Sequence, residues 1–328
     1  MTVLVTGGGG FVGSNIVHAL LERGYRVRSL ARGEYPELVA QGVEVVRGDI
    51  GDRQTVIRAL EGCDAVFHVA AKAGQWGNYE SYYRPNVVGT QNVIHACRVH
   101  GISKLIFTSS PSVVDGGFPI EGGDESLPYP AHYVSPYAET KAISEQMVLA
   151  ANSDKLATVA IRPPLVWGIG DKHLMPRFIA RAKQGRLFRI GYKAPLVDTT
   201  YIDNVVHAHL LAFERLHPQS KIAGKAYFIS NDDPRPVHEM INLLVEAMGY
   251  PPAQRTVPAF LAMAVATIVE GFYRLRNSAE EPPLSRFIVQ QVLKARWFNI
   301  NAAKRDLGYQ PLVSIEEGLE YLRQTMRK

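Results

Sequence analysis

The stretch that decides the fold is residues 3–13, which read VLVTGGGGFVG. A short apolar run, typical of a buried strand, passes directly into glycines and then into an amphipathic helical pattern. Gly7 permits a tight turn, Gly10 lets the backbone approach a phosphate, and Gly13 lets the helix pack closely on the strand. The pattern therefore predicts a turn that binds the pyrophosphate of a dinucleotide, at the positive end of a helix.

Apolar strand candidates alternate with helical stretches through the first half of the chain. Strands are expected at Val3–Thr6, Arg26–Leu30, Val43–Arg47, Ala65–Val69, Lys104–Thr108 and Ala157–Ile161. Helices are expected at Gly13–Arg23, Arg53–Leu60, Val87–His100 and Tyr137–Ala151. Because each helix can serve as a right-handed crossover, the sequence predicts an α/β fold, a Rossmann-type doubly wound parallel sheet.

The rhythm changes after about Pro163, where loops and proline-rich helical segments begin. We predict a dinucleotide-binding domain at residues 1–165, to which a segment at about 195–235 returns. A smaller C-terminal substrate lobe is expected mainly from residues 166–328, with no clean linker between the two.

The apolar stretch Ala259–Val269 is the longest of the chain. It is well short of the roughly 20 apolar residues that a membrane-spanning helix needs. We expect a buried core helix, with contact to a membrane surface or to another enzyme as the alternative.

Composition and charge exclude several classes of protein. With 46% hydrophobic and 20% charged residues the chain is globular, and its net charge of +5 is scattered, so a small anionic ligand is expected and nucleic acid is not. Cys63 and Cys97 have no spacing typical of zinc or of a disulfide framework, so we predict no metal site and a reducing cytoplasm. The strand pattern at the first residues does not match a signal peptide.

The end of the second strand bears on the choice between NAD(H) and NADP(H). It reads Ser29-Leu-Ala-Arg32 and lacks the carboxylate that would bond a ribose 2′-hydroxyl and repel a 2′-phosphate. Arg32, with Arg28 nearby, would pair with a 2′-phosphate, so NADP(H) is preferred. NAD(H) is the alternative if Arg32 is a solvated loop residue.

Asp49 follows the third strand, where its carboxylate can accept the adenine amino group while Ile50 packs on the ring. The competing interpretation of Asp49 is a helix N-cap, which suits Asp52 better.

Tyr137 and Lys141 are four residues apart and thus share one face of the expected helix. A phenol has a pKa near 10, and a neighbouring cation lowers that pKa by favouring the phenolate. Upstream, Thr108-Ser-Ser110 ends a central strand, where a hydroxyl can polarise a substrate carbonyl. Ser110 is the preferred residue, although a one-residue change of register would select Thr108 or Ser109.

These residues resemble the extended short-chain dehydrogenase/reductase family, and the resemblance covers nearly the whole chain. Its Thr-Gly-x-x-Gly-Phe-x-Gly motif matches Thr6–Gly13, its Gly-Asp matches residues 48–49, and its His-x-Ala-Ala matches His68–Ala71. Further similar segments are Asn86–Asn92, Arg162-Pro163, Val166–Asp171 and Tyr201–Asn204. Trp167 and Ile169 depart from the family pattern and are expected at the pocket entrance.

The resemblance implies a catalytic triad of Ser110, Tyr137 and Lys141, with Lys141 also bonding the nicotinamide ribose. His68 is expected to be a buried strand residue rather than a base. The full set of predicted cofactor-binding residues is Gly7, Gly10, Phe11, Val12, Gly13, Arg32, Asp49, Ile50, Ala70, Ala71, Lys72, Thr108, Tyr137, Lys141, Pro163 and Val166.

Segments 70–79, 85–93 and 224–231 are similar to the 3β-hydroxysteroid dehydrogenase branch, in particular to bacterial enzymes of long-chain olefin biosynthesis. This implies a homodimer that reduces the 3-keto group of a hydrophobic acid with two alkyl chains. Lys72, Lys172 and His173 are weak candidates for binding the substrate carboxylate. The alternatives are a 3β-hydroxysteroid dehydrogenase, an NAD-dependent sugar-nucleotide epimerase or dehydratase, and a dinucleotide-binding regulator without turnover.

Overall fold

A computed structural model describes residues 1–74, 76–172, 174–276, 278 and 280–326. Its centre is a seven-stranded, wholly parallel sheet. The strands are β1 (Thr2–Thr6), β2 (Arg26–Ala31), β3 (Glu44–Arg47), β4 (Ala65–His68), β5 (Lys104–Thr108), β7 (Ala157–Arg162) and β12 (Lys225–Phe228). Their order across the sheet is β12-β7-β5-β4-β1-β2-β3. The order reverses between β1 and β4, which creates the crevice where such sheets bind ligands.

Helices cover both faces of this sheet. One layer contains α1 (Phe11–Glu22) and α8 (Ile202–Arg215), and the other contains α3 (Arg53–Leu60), α5 (Gly89–His100) and α6 (Pro136–Ala150). The central strands are mostly apolar because both of their faces are buried, and the polar residues at their carboxyl ends, such as His68 and Arg162, are buried as well. The predicted doubly wound α/β fold is confirmed, with strand ends within one or two residues of the expected positions.

The remaining elements are loops, short helices and two- to four-stranded sheets. The shorter strands are β6 (Ile120–Gly123), β8 (Val166–Trp167), β9 (Arg189–Ile190), β10 (Leu196–Val197), β11 (Thr200–Tyr201), β13 (Arg235–Pro236), β14 (Thr256–Val257) and β15 (Arg296–Phe298). The further helices are α2 (Pro36–Ala40), α4 (Tyr79–Tyr83), α7 (Leu174–Lys183), α9 (Val237–Ala247), α10 (Ala259–Leu275), α11 (Arg286–Val292), α12 (Asn301–Leu307) and α13 (Ile315–Met326). A π-helical turn, Arg84–Val88, leads into α5, and a 3-10 turn, Pro111–Val114, follows β5.

The four-stranded sheet β13-β10-β15-β6 stands beside the carboxyl ends of the main strands. β12 lies at the edge of the main sheet, parallel to β7, although its sequence follows the start of the irregular region. Chain segments after residue 195 therefore contribute to both parts of the molecule.

The expected burial of Ala259–Val269 is wrong. These residues form most of α10, where Phe260, Ile268 and Leu275 have 77%, 73% and 87% of their surface exposed. The physical reason is that the small side chains of Ala262 and Ala266, one turn apart, face α11, while the large apolar side chains lie on the opposite side. No helix among the described residues combines the length and hydropathy needed to cross a bilayer.

Candidate active site

Two glycines of the turn lie in close contact with neighbouring backbone. Gly7 has a φ of +71°, and a Cβ added there would lie 2.9 Å from the Cα of Ala70. A Cβ on Gly13 would lie only 2.2 Å from the Gly7 carbonyl oxygen. Within the described residues no side chain caps the start of α1, so its first N–H groups, from Phe11 and Val12 onward, are left to a ligand. This cradle fits the pyrophosphate of a dinucleotide.

Arg32 is exposed just beyond the end of β2. In the part of the chain that the structure describes, Arg32 makes no ion pair. The pKa of Lys72 is lowered by burial and, to a smaller extent, by the positive charge of Arg32. Arg28 does not lie near it, contrary to expectation, because four residues of strand separate them by about 13 Å. Arg28 instead donates to the carbonyl of Glu61 at 2.6 Å and pairs with Glu44 at 2.8 Å.

Tyr35 is a residue that the motifs did not reveal. A Cβ on Gly9 would lie 2.0 Å from the Tyr35 ring, which therefore covers the glycine turn directly. The nearest signal in the sequence is an aromatic residue three positions after Arg32, which is not specific.

Asp49 and Ile50 follow β3 as expected. The Asp49 carboxylate accepts from Gly51 N at 2.8 Å and pairs with Arg84 at 3.2 Å, while Ile50 is buried. The N-cap of α3 is Asp52, which accepts from Gln54 N at 3.2 Å, so the assignment of the cap to Asp52 is confirmed.

Hydrogen bonds from β1 fix the segment after β4. The Thr6 hydroxyl accepts from Val69 N and from Ala70 N, both at 3.1 Å. It also lies 2.8 Å from Nδ1 of His68, whose Nε2 is 2.9 Å from the Thr90 hydroxyl. Burial, reinforced by the charge of Lys141, lowers the pKa of His68 to about 3. His68 is thus a buried, neutral strand residue, as predicted.

Asn86, on the π-helical turn, joins this segment to the tyrosine helix. Its amide oxygen accepts from Lys72 N at 2.7 Å, and its amide nitrogen donates to the Thr140 hydroxyl at 3.0 Å. The segment containing Ala71 is thereby held at a fixed distance from α6. Asn86 was noted only as part of a similar segment, because nothing in its spacing indicates these partners.

Tyr137, Ser110 and Lys141 come together at the carboxyl end of β5. The Ser110 hydroxyl lies close enough to the Tyr137 phenol to influence its pKa, and it accepts from Ser112 N at 3.2 Å. Lys141, 2% exposed, donates from Nζ to the Thr108 carbonyl at 2.7 Å. The ordinary geometry of α6 produces this placement, since its N-cap Ser135 starts the helix one residue before Pro136.

The other hydroxyls at the end of β5 have different surroundings. The Thr108 hydroxyl is 2.8 Å from Nε2 of His209, which is buried. Ser109 is also buried, and its hydroxyl has no partner among the described residues. Of these three hydroxyls, that of Ser110 is the one that acts on the Tyr137 phenol within the described residues.

The pKa of Tyr137 differs from the expectation that Lys141 lowers it. Partial burial raises the pKa of Tyr137, and the Ser110 hydroxyl acts in the opposite direction. The expected lowering by Lys141 is absent within the described structure because its ammonium faces the Thr108 carbonyl and the Phe107 ring, 3.9 Å from the ring centroid. Burial lowers the pKa of Lys141 itself to about 7, with Glu145 opposing the change. At neutral pH the phenol is protonated and can donate.

An apolar cavity of about 340 Å³ opens in front of Ser110 and Tyr137. Its apolar walls include Pro163, Trp167, Phe178, Met240, Leu244 and Phe287. Trp167 was expected at the entrance, but it is fully buried and donates from Nε1 to the Thr199 hydroxyl at 3.1 Å, whereas Ile169 is 45% exposed. The tryptophan packs edge-on against Tyr201, which explains why it lies in the cavity wall. Val166 is half-buried beside it.

The same cavity has a charged side that sequence reasoning missed. Arg177, Arg181 and Asp198 line it, and the ion pair of Arg296 with Asp115, 2.7 Å long, closes one wall. Neither Lys72 nor Lys172 is among the described lining residues, and His173 lies outside the described part of the chain. The i, i+4 spacing of the two α7 arginines is the signal that could have identified them.

A buried ion pair connects α6 to β7, the strand that ends at Arg162 just before Pro163. Arg162 contacts Glu145 through two hydrogen bonds of 2.5 and 2.9 Å, and Tyr129 donates to the same carboxylate at 2.6 Å. Pro163 and Tyr137 therefore keep a fixed relation across the crevice.

Comparison with known proteins decides the family. The sequence model of the 3-beta hydroxysteroid dehydrogenase/isomerase family matches residues 4–260. The chain belongs to this family. It is 50% identical to the 2-alkyl-3-oxoalkanoate reductase of Stenotrophomonas maltophilia, with 98% of each chain covered. It is 47% identical to the Shewanella oneidensis protein of the same name, with 98% of this chain and 85% of that protein covered.

Solved structures agree with the fold. A UDP-glucose 4-epimerase from Thermus thermophilus, in complex with NAD, superposes with a TM-score of 0.75 at 26% identity and covers 100% of this chain and 99% of that chain. As a member of the 3-beta hydroxysteroid dehydrogenase/isomerase family, this protein is an NAD(P)-dependent oxidoreductase of the short-chain dehydrogenase/reductase type. Its cofactor is a nicotinamide dinucleotide.

Proposed function

We propose that this oxidoreductase reduces the 3-keto group of a long-chain 2-alkyl-3-oxoalkanoate to the 3-hydroxy acid. The observation that carries the proposal is that Ser110 and Tyr137 lie beside each other and both line an apolar cavity of about 340 Å³. The names of the two bacterial relatives support the same chemistry.

The dinucleotide would be held by the glycine turn, the start of α1 and the segment around Ala70, and when bound it supplies a hydride. Ser110 then positions the ketone oxygen by donating a hydrogen bond. Tyr137, whose pKa is raised by burial, transfers its proton to that oxygen as negative charge develops there. Lys141 lies behind Tyr137 on the same helix face, where we assign it to the nicotinamide ribose.

Arg32 supports a preference for NADP(H). It is exposed at the end of β2, and the positive charge of Lys72 is close enough to interact with it. Two neighbouring cations favour a 2′-phosphate over a hydroxyl.

Two other functions of the same fold make different demands on the cavity. A sugar-nucleotide epimerase is suggested by the likeness to the UDP-glucose 4-epimerase, but it would require a polar site for a diphosphate, and most walls here are apolar. A steroid dehydrogenase would require a rigid slot for fused rings.

We further propose that residues 166–328 form most of the substrate lobe, with the segment at about 195–235 completing the dinucleotide-binding domain. The exposed face of α10, formed by Phe260, Ile268 and neighbouring residues, is then available for a lipid surface or a second copy of the chain. Light scattering with and without anionic vesicles distinguishes a dimer from a lipid-bound form.

The test of the proposed function is NADPH oxidation by the purified protein with a 2-alkyl-3-oxoalkanoate or a 3-ketosteroid as substrate. UDP-glucose is assayed separately for conversion to its 4-epimer, because epimerisation consumes no cofactor overall. We expect turnover with the keto acid and a fall of about 10²- to 10⁴-fold in kcat for Tyr137→Phe. Tyr192→Phe, a change at an 81% exposed tyrosine outside the cavity, is the matched control and should behave as wild type. Preferential turnover of either other substrate would overturn the proposal, and cofactor binding without turnover of any ketone would favour a regulator.

A further inference from the structure

Two arginines of α7 face the cavity. Arg177 and Arg181 are one turn apart, so they share a helix face, and both line the cavity that contains Tyr137. Arg296 is the third arginine in the described lining. The three differ in whether another group already neutralises them.

Arg177 forms an ion pair with Glu281, and Arg296 pairs with the buried carboxylate of Asp115 at 2.7 Å. Arg181 makes no ion pair and no side-chain hydrogen bond with any residue that the structure describes. It is half-buried, and its pKa is lowered by that burial and by the charge of Arg177, with the carboxylate of Glu281, which is not in ion-pair contact with it, opposing the change. Arg181 is thus the one cavity arginine within the described lining whose guanidinium is still open to a ligand.

A partly desolvated guanidinium with no carboxylate in direct contact is unfavourable in an apolar wall. An anionic group that enters the cavity would remove this cost, and a carboxylate matches the two parallel N–H groups of a guanidinium. The apolar walls of the same cavity, which include Phe178 and Met240, suit hydrocarbon.

We propose that Arg181 binds the carboxylate of the substrate and thereby selects 3-keto acids over neutral ketones. The inference rests on the proposed function, which supplies a substrate with one carboxylate. That carboxylate is two carbon–carbon bonds from the ketone carbon, so its binding group must lie in the same cavity as Ser110 and Tyr137, as Arg181 does. With the acid held there, the ketone faces the phenol and the alkyl chains occupy the apolar walls.

The experiment compares one keto acid with its methyl ester, which has the same chains and ketone but no charge. We expect Arg181→Met to lower the ratio of kcat/KM for the acid to kcat/KM for the ester by about 10- to 100-fold, the loss of one charged hydrogen-bonded contact. Arg181→Lys, which keeps the charge but not the paired N–H groups, should recover part of that ratio. Arg186→Met, an exposed arginine outside the cavity, is the matched control and should leave the ratio unchanged.

Binding can also be measured without turnover, by calorimetry with the 3-hydroxy acid and with its uncharged methyl ester. The acid should bind about 10- to 100-fold more weakly to Arg181→Met than to the wild type. An unchanged acid-to-ester ratio in Arg181→Met, or the full effect in Arg177→Met alone, would overturn the assignment. Failure of the wild type to reduce both acid and ester would instead refute the proposed function.

Discussion

Replacing Lys141 by methionine should stabilise the protein at pH 7 while removing its activity. Burial lowers the pKa of Lys141 from its ordinary value of 10.5 to about 7. Each tenfold change in a protonation equilibrium corresponds to about 1.4 kcal/mol, so keeping this lysine in the fold costs roughly 4 kcal/mol at pH 7. Losing its hydrogen bond to the Thr108 carbonyl returns about 1–2 kcal/mol of that. The expected net stabilisation is about 2–3 kcal/mol.

The pH dependence of the free energy of unfolding tests whether Lys141 destabilises the fold. Between the folded pKa of about 7 and the unfolded value of 10.5 the unfolded chain binds more protons at Lys141, so this residue's contribution makes the wild type more stable as pH rises through that window. The advantage of Lys141→Met should therefore be largest near pH 7 and nearly absent at pH 10. Urea unfolding followed by tryptophan fluorescence measures the free energy of unfolding at both pH values.

Lys155→Met is the matched control, because Lys155 is exposed, and it should show no such pH-dependent difference. The electrostatic reasoning is refuted if Lys141→Met is destabilised by the same amount at pH 7 and pH 10. That result would mean that the ammonium is well solvated in the folded protein.

Two further predictions concern the cofactor site. Arg32→Ala should weaken NADPH binding by about 10-fold or more and leave NADH binding within about 2-fold, as measured by cofactor fluorescence, and equal losses for both would argue against a 2′-phosphate at Arg32. Gly13→Ala should lower the free energy of unfolding by about 2 kcal/mol or more and prevent binding of both cofactors, because its Cβ would lie 2.2 Å from the Gly7 carbonyl oxygen. Gly24→Ala, whose φ of +77° adds strain but whose Cβ meets nothing within 4 Å, is the control that retains cofactor binding.

The central sheet could be predicted because its strands are buried on both faces and read as continuous apolar runs. The stretch before Gly7 and the run ending at Thr108 gave clear signals of this kind, and the glycine turn set the position of the first crossover. Asp52 and His68 were interpreted correctly because capping and apolar neighbours are local properties.

The predictions that proved wrong all concern properties that depend on tertiary neighbours. The length and hydropathy of α10 do not say which of its faces meets another helix, and the two buried alanines decided that. Trp167 became a wall residue through its contact with Tyr201, which lies far along the chain. The pKa of Tyr137 depends on where the ammonium of Lys141 points, and a four-residue spacing does not specify that direction.

The sequence alone also does not identify Arg181 as a candidate ligand-binding residue. Its importance depends on its neighbours, since Glu281, from a distant part of the chain, forms an ion pair with Arg177 and acts on Arg181 without contacting it. In the sequence the two arginines are equivalent.

The most direct test of the account follows a label from cofactor to product. NADPH carrying deuterium on the transferable position of the nicotinamide is mixed with a 2-alkyl-3-oxoalkanoate, and the product is analysed by mass spectrometry and NMR. We predict one deuterium on carbon 3 of a 3-hydroxy acid, formed at least about 100-fold more slowly by Tyr137→Phe. Label at any other carbon, or an unchanged rate in Tyr137→Phe, would contradict hydride transfer to the ketone with proton donation from Tyr137.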